Sequence, residues 1–369
     1  MNHSTVAHID LEALHHNLRT IKTATPRSNI LVMIKSNAYG HGVVEVAKSL
    51  EHDVDAFGVM FLHEALQLYN AGVKKTIVIL TGFFDAEELS VIEKYNFECS
   101  VHNFAQIEIL EKAKLSRPLG IWLKIDTGMH RLGFQSHQVQ EAYQRLVQNK
   151  MVQKPLRLMT HFSDADNVKN NKTAKQIVCF EQIVANLEGE WCMANSAAIF
   201  GWPKSHVHWI RPGIALYGAS PFDGKSGPEL NLKPVMTLTS RIITIHELEK
   251  GASVGYGSTF SCPEKMKVGT ISIGYGHGYP RNARFGTPVL VNGIRTQLVG
   301  RVAMDMIGID LRKVPKAKIG SSVILWGKGL PVEEIAANAG EISYELFCRL
   351  TSRVHYQFYQ RSVDINLIF

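Results

Sequence analysis

Cysteine is scarce in this sequence. Five occur in 369 residues, Cys99, Cys179, Cys192, Cys262 and Cys348, an odd number, widely spaced and mostly in apolar surroundings. No CxxC pair exists, which argues against a disulfide framework or a cysteine-based zinc site and fits buried thiols in a reducing compartment. Long apolar runs are also missing: no stretch reaches the ~18 residues of a membrane span. The opening MNHSTVAHIDLEAL has no basic segment followed by an apolar one, so no export signal is expected and the expected location is the cytoplasm. Blocks of like charge are absent too. The net charge of +7 is dispersed, with no basic stripe and no nucleic-acid motif. Neither a nucleic acid nor a membrane is therefore an expected partner.

What the sequence does contain is an ordinary globular composition, 45% hydrophobic and 20% charged, at a length that suits two domains. Up to about residue 230, short apolar runs alternate with helical patterns. The runs are Ile30–Lys35, Ala56–Met60, Thr76–Thr81, Phe97–Val101, Gly120–Asp126, Leu156–His161, Trp191–Ala194 and Val207–Ile210. Between them Leu11, Leu14, Leu18 and Ile21 keep helical spacing, as do Val139, Tyr143, Leu146 and Val147. Near-continuous apolar strands alternating with helices are the pattern of parallel βα units, and eight such strands can close a barrel. An open doubly wound sheet is the alternative; it more often carries a glycine-rich GxGxxG turn after its first strand, and SNAYGHG is not one. Near Pro234 the pattern changes to β-branched runs such as VMTLTSRIITIHEL, VGTISIG and SSVILWG, punctuated by glycine. The expected fold class is α/β: an N-terminal (β/α)8 barrel over 1–232 and a C-terminal, mainly antiparallel β domain over 233–369.

Active sites of such barrels lie at the C-terminal ends of the strands. Here those ends carry Lys35; Lys124, Asp126, His130 and Arg131; His161; Asn195 and Ser196; and Arg211 with Gly213. Taken singly, each has an ordinary explanation: a solvated lysine, a hydrogen-bonded histidine, a helix cap at Asn195. His206 and His208 are read as structural, since no third ligand at metal-site spacing accompanies them and no metal is expected. Convergence on one barrel end is the stronger signal. Serine, glycine amides and tyrosine hydroxyls at a helix start hold phosphate. A lysine in a water-poor pocket loses its proton and can bond an aldehyde covalently. An arginine facing a heterocycle nitrogen donates a hydrogen bond but accepts no proton. Together these describe a pyridoxal 5'-phosphate (PLP) site anchored at Lys35.

At that point the chain resembles the alanine racemases, PLP enzymes built from a barrel and a β domain. The resemblance rests on MIKSNAYGHG, KIDTGMHRLGF, THFSDAD, ANSAA, RPGIALYG, VGYGSTF, GYGHGYPR and AMDM, in that order along nearly the whole chain. It implies that Lys35 holds PLP and acts as the base for D-alanine, and that Tyr256 of the partner subunit is the base for L-alanine. It implies that Arg131 touches the substrate carboxylate and that the backbone of Met304, also from the partner subunit, adds a contact. Arg211 would face the pyridine nitrogen with His161 behind it. Tyr39, Ser196, Gly213 and Ile214 would hold the phosphate, with Asn195 beside them. Lys124 matches a lysine that is carbamylated in several members. The implied assembly is a homodimer with composite sites, and the implied role is interconversion of L- and D-alanine that supplies D-alanine for peptidoglycan.

This chain departs from the family pattern twice. Ser352 stands before Arg353 where many members have a phosphate-contacting tyrosine. His277 stands where an acid is usual, which would make the substrate entrance less acidic. Three other readings compete. A racemase of broader or different specificity, for serine or lysine, would differ in pocket size; such enzymes usually carry an export signal. A non-catalytic PLP carrier would have no use for a second base. A basic nucleic-acid binder would show salt-sensitive binding and no cofactor.

Overall fold

A computed structural model describes residues 5–360. The ends of the chain, 1–4 and 361–369, which the expected domain bounds include, lie outside the described residues. The strand β1 is Val6–Asp10. Eight parallel strands then close a barrel: β2 (Asn29–Met33), β3 (Ala56–Val59), β4 (Thr76–Ile79), β5 (Glu98–Val101), β6 (Ile121–Lys124), β7 (Arg157–Met159), β8 (Glu190–Asn195) and β9 (Trp209–Arg211). Closure is made by β2 against β9, with Asn29 opposite Trp209 and Ile30 opposite Ile210. The strands read as apolar runs because both faces are covered, the inner by the barrel core and the outer by helices.

The barrel floor is sealed by charge and aromatic surface together. Arg157 lies over the rings of Trp122 and Trp209, at 5.2 and 5.5 Å. It pairs with Glu98 at 3.0 Å and Glu190 at 3.2 Å. Each glutamate also accepts one of the indole N–H groups. Every member of this small, partly buried network has a partner, so no charge in it is left desolvated and unpaired.

The second unit is an eight-stranded sheet. Its strands in chain order include β10 (Met236–Leu248), then a two-stranded hairpin, β11 (Ser253–Val254) with β12 (Phe260–Ser261), that stands apart from the sheet. There follow β13 (Met266–Ile271), β14 (Pro288–Val291), β15 (Ile294–Val299), β16 (Ile307–Asp310), β17 (Ser322–Trp326) and β18 (His355–Tyr359). The sheet order is β13-β16-β15-β14-β17-β10-β1-β18, mainly antiparallel. The strand at the very start of the chain thus sits in this sheet, antiparallel to β10 and parallel to β18. It leads directly into the first barrel helix, Leu11–Ala24, whose N-terminus is capped by Asp10 accepting from the Ala13 N–H. Among the described residues, no helix is long and apolar enough to cross a membrane.

One core runs through both units. Within it lie neutral histidines. Burial, with the nearby charge of His355, pushes His8 down to about 4; burial pushes His41 down to about 4 against two backbone hydrogen bonds. Both have folded-state values below the unfolded ones. The unfolded chain therefore takes up more protons between pH 6.5 and pH 4, and stability is lost as the pH falls through that window. Near pH 5 each histidine should cost about 2 kcal/mol. Melting temperature of the cofactor-free protein should fall steadily from pH 6.5 to pH 4. In His41→Asn the fall should be shallower; an unchanged slope would show that His41 does not carry it.

Candidate active site

The C-terminal ends of the barrel strands open into a cavity of about 600 Å³. That volume is within the range of cofactor pockets. Its wall includes Lys35, Tyr39, Lys124, Arg131, His161, Asn195, Ser196, Arg211, Gly213 and Ile214. Ten of the residues singled out from the sequence are thus brought together. Asp126 and His130 are not. The Asp126 carboxylate accepts the N–H groups of Gly128, Met129 and His130 and meets the His130 ring at 2.9 Å. Burial alone would push this carboxyl up, but those hydrogen bonds hold it below the usual range. The pair staples the loop that carries Arg131.

Lys35 does not lie on its strand. β2 ends at Met33, and the four residues after Lys35 form a left-handed turn, with φ near +53° from Ser36 to Tyr39. Left-handed helical backbone costs roughly 1–2 kcal/mol per residue for L-amino acids, so the surroundings must hold it. Glu64 accepts the Ser36 N–H at 2.7 Å, Asn37 Oδ1 accepts the Val43 N–H, and the Ala38 N–H donates to the Ile34 carbonyl. Gly40 then approaches so closely that a Cβ there would lie 2.0 Å from the Phe347 carbonyl oxygen. The turn presents Lys35, Ser36 and Tyr39 to the same cavity.

The electrostatics are one-sided. Two lysines and two arginines line the cavity, and among the described residues no aspartate or glutamate does. Burial, then the charge of Arg131, lowers the Lys35 amine, with Glu64 opposing. Lys124 is 8% exposed. Burial, then Arg211, Arg131 and Lys35, pushes its amine down to about 8. Arg211 is held by the carbonyls of Thr160, Cys192 and Met193 and by the Cys192 thiol. Its guanidinium also donates to His161 Nδ1 at 3.3 Å. Burial, then the Arg211 charge, holds His161 well below its ordinary value, so it is neutral and Nδ1 accepts.

The fit to a phosphorylated aldehyde can be tested on these residues. Surplus positive charge in a partly enclosed space calls for a dianion. Ser196 Oγ accepts the N–H groups of Gly213 and Ala215, at 2.9 and 3.3 Å, and so braces the turn after β9. A Cβ on Gly213 would come 2.6 Å from the Tyr39 hydroxyl. The backbone is bare where Tyr39 converges on it. With a depressed lysine amine alongside, the residues fit PLP.

Two expected residues lie elsewhere. Tyr256 is 73% exposed and sits in the 3₁₀ turn Tyr256–Ser258 between β11 and β12. Met304 is 52% exposed. Neither lines the cavity of its own chain. His277 is 7% exposed, and its ring accepts the Gly274 N–H. It is packed into its own turn and, like Tyr256 and Met304, does not line the cavity of its own chain. His206 donates to the Ile199 carbonyl and His208 accepts the Trp191 N–H. The sequence reading missed Glu64, Tyr344 and Cys348, the last two of which line the cavity. Their segment, SYELFCRL, shows only an amphipathic helix.

Residues 9–221 match the family model "Alanine racemase, N-terminal domain" and residues 235–358 match "Alanine racemase, C-terminal domain". An alanine racemase of Coxiella burnetii (strain Dugway 5J108-111) is 49% identical over 361 residues, 96% of this chain and 99% of that one. One of Vibrio cholerae is 45% identical over 360 residues, 98% of this chain and 99% of that one. The biosynthetic alanine racemase of Pseudomonas aeruginosa superposes with a TM-score of 0.94 at 39% identity, covering 97% of this chain and 100% of that one. An alanine racemase of Bartonella henselae, solved with covalently bound pyridoxal phosphate, superposes with a TM-score of 0.87 at 26% identity, covering 97% of this chain and 100% of that one.

Proposed function

We infer the reaction from the premise that this chain belongs to the alanine racemase family and is an isomerase. It interconverts L- and D-alanine with PLP and two bases, and its product is D-alanine for peptidoglycan. The observation that carries the reading is the cavity itself: a lysine amine lowered by burial, set beside Lys124, Arg131 and Arg211 with no acidic side chain on the wall among the described residues. Lys35 would bond the cofactor aldehyde. Tyr39, Ser196, Gly213 and Ile214 would hold its phosphate, and Arg211, backed by His161, its ring nitrogen. Bound there, PLP supplies an electron-withdrawing group that makes the substrate α-proton acidic enough to remove.

The chain's own residues do the rest. Arg131, free of ion pairs among the described residues, orients the substrate carboxylate. Lys35, its amine lowered by burial and by Arg131, takes or returns a proton on one side of Cα. Tyr256 of the partner subunit does so on the other, and the partner's Met304 closes the site with its backbone. The Arg211 guanidinium offers the ring nitrogen a hydrogen-bond donor and no acceptor, and so opposes protonation of that nitrogen. This favours return of the proton to Cα, which is racemisation.

The division of labour follows a proposed boundary at 232/233, with the cofactor held by the barrel and the second base carried beyond it. The test is a panel of D- and L-amino acids with added PLP, followed by circular dichroism. Loss of signal from either alanine enantiomer is expected. Inertness toward alanine with turnover of serine or lysine would move the assignment to a different racemase.

A partly neutral Lys124 can also add carbon dioxide, forming an N–C bond and releasing one proton. The resulting carbamate would set a negative charge beside Arg131. Labelled bicarbonate should give a carbamate carbon resonance that disappears in Lys124→Ala; its persistence in that variant would place the adduct elsewhere.

A further inference from the structure

A second constellation lies away from the cavity, on the outer helices of the barrel. His15 belongs to the first barrel helix, Leu11–Ala24, and Ser49 to the helix Val43–Leu50. Both helices face the same core, through Leu14 and Leu18 on one and Val46 and Leu50 on the other. His15 stands beside Ser49, with Nε2 3.0 Å from the hydroxyl oxygen. Asp53 lies in the turn after the second helix, where its N–H donates to the Leu50 carbonyl at 2.9 Å. Its carboxylate meets His15 Nδ1 at 3.2 Å. None of the three lines the cavity at the barrel mouth.

Donor chemistry fixes where the protons lie. An ionised carboxylate only accepts, so in its neutral form His15 carries its proton on Nδ1 and offers the Nε2 lone pair to the Ser49 hydroxyl. A hydroxyl held by a base that a third group orients is an activated nucleophile. The group is open to solvent: the His15 side chain is 27% exposed and that of Asp53 47%. We propose that Ser49 is an acyl-accepting serine, which gives this chain a slow esterase activity toward small activated esters, separate from the cavity at the barrel mouth. Ser49 Oγ bonds to the ester carbonyl carbon while its proton passes to His15 Nε2 and on to solvent. The leaving aryl oxide departs with the electron pair of the broken C–O bond. Water, with His15 as base, then releases the acid and restores the hydroxyl. Ser49 is the seventh residue of its helix, so its own N–H is committed within that helix and stabilises no oxyanion. The chemistry is therefore confined to esters with good leaving groups.

The probe is p-nitrophenyl acetate. Wild type, His15→Gln, Asp53→Asn and Ser49→Ala are each incubated with it, nitrophenolate release is followed by absorbance, and acetylated sites are mapped by peptide mass spectrometry. Ser116 and Ser226 are internal references, since their hydroxyls donate to the carboxylates of Glu93 and Glu229, at 2.8 and 2.7 Å, rather than to a histidine. In the wild type the acetyl group should appear on Ser49 ahead of both. General-base assistance corresponds to roughly 10²–10⁴-fold, so His15→Gln should acetylate Ser49 at least about a hundredfold more slowly. Asp53→Asn, which no longer fixes the tautomer, should be slowed at least about tenfold. Ser49→Ala should racemise alanine at the wild-type rate. Melting curves control for fold, and the wild-type map decides alone should a variant not fold. No acetyl group on Ser49, or acetylation there no faster than at Ser116 and Ser226, would overturn the proposal. So would equal Ser49 acetylation in wild type and folded His15→Gln, the trio then being only a clasp between two helices.

Discussion

Replacing Lys35 by alanine is expected to lower kcat for both alanine enantiomers by roughly 10²–10⁴-fold from the lost proton transfer alone. The further loss of the covalent anchor deepens the effect. Lys35 stands on a strained left-handed turn that brings it, Ser36 and Tyr39 to one wall, and its amine is lowered by burial and by Arg131. A lowered amine of this kind is what the proposed role of Lys35 as nucleophile and base requires. Borohydride treatment of the PLP-loaded wild type, then peptide mapping, should place the cofactor on the peptide containing Lys35. Lys124 is the only other lysine on the cavity wall among the described residues. An adduct recovered on Lys124 would reverse the two roles, and Lys35→Ala would then retain most of its activity.

Tyr256→Phe should fall by a similar factor, and mixing it with Lys35→Ala should restore activity. The reasoning is geometric. Tyr256 is 73% exposed at the tip of a hairpin and is absent from the cavity of its own chain. In a twofold dimer each site would take its lysine from one chain and its tyrosine from the other. A dimer of one Lys35→Ala chain and one Tyr256→Phe chain then holds one doubly defective site and one intact site. Random 1:1 exchange should recover about a quarter of wild-type activity, since half the dimers are mixed and half their sites are whole. Mixed dimers demonstrated by mass spectrometry but without activity would show that both bases come from one chain. Proton exchange provides an independent check. In deuterated water, Tyr256→Phe should still exchange the α-proton of D-alanine, which Lys35 faces, and leave that of L-alanine in place.

The barrel strands were legible because burial on two faces leaves a local mark. IVI and LVM runs of four to six residues, interrupted by helical periodicity, need no knowledge of distant residues. The strand-end residues followed from the same reading, since topology alone sends active sites to that end. Eight of them share one cavity, joined there by Tyr39 and Ile214, which only the family resemblance had named. Asp126 and His130 were drawn into the list by position only; whether a carboxylate faces a cavity or caps its own loop depends on backbone angles two to four residues on.

Composition, strand count and strand-end chemistry, with the family motifs in order, were therefore properties of the sequence alone. Three things were decided only by tertiary structure. The left-handed turn at Ser36–Tyr39 has no glycine among its four residues to announce it, because Glu64 and the packed helix Ser343–Cys348 impose it from outside, with Asn37 bracing it from within. β1 looks like the start of the barrel in sequence order, yet its hydrogen bonds go to β10 and β18, more than 220 residues away. Tyr344 reaches the cavity by the same long-range docking. Hydrophobic periodicity reports which face of an element is buried; it carries no information on which distant element does the burying, and a hydroxyl's partner is set by that second choice.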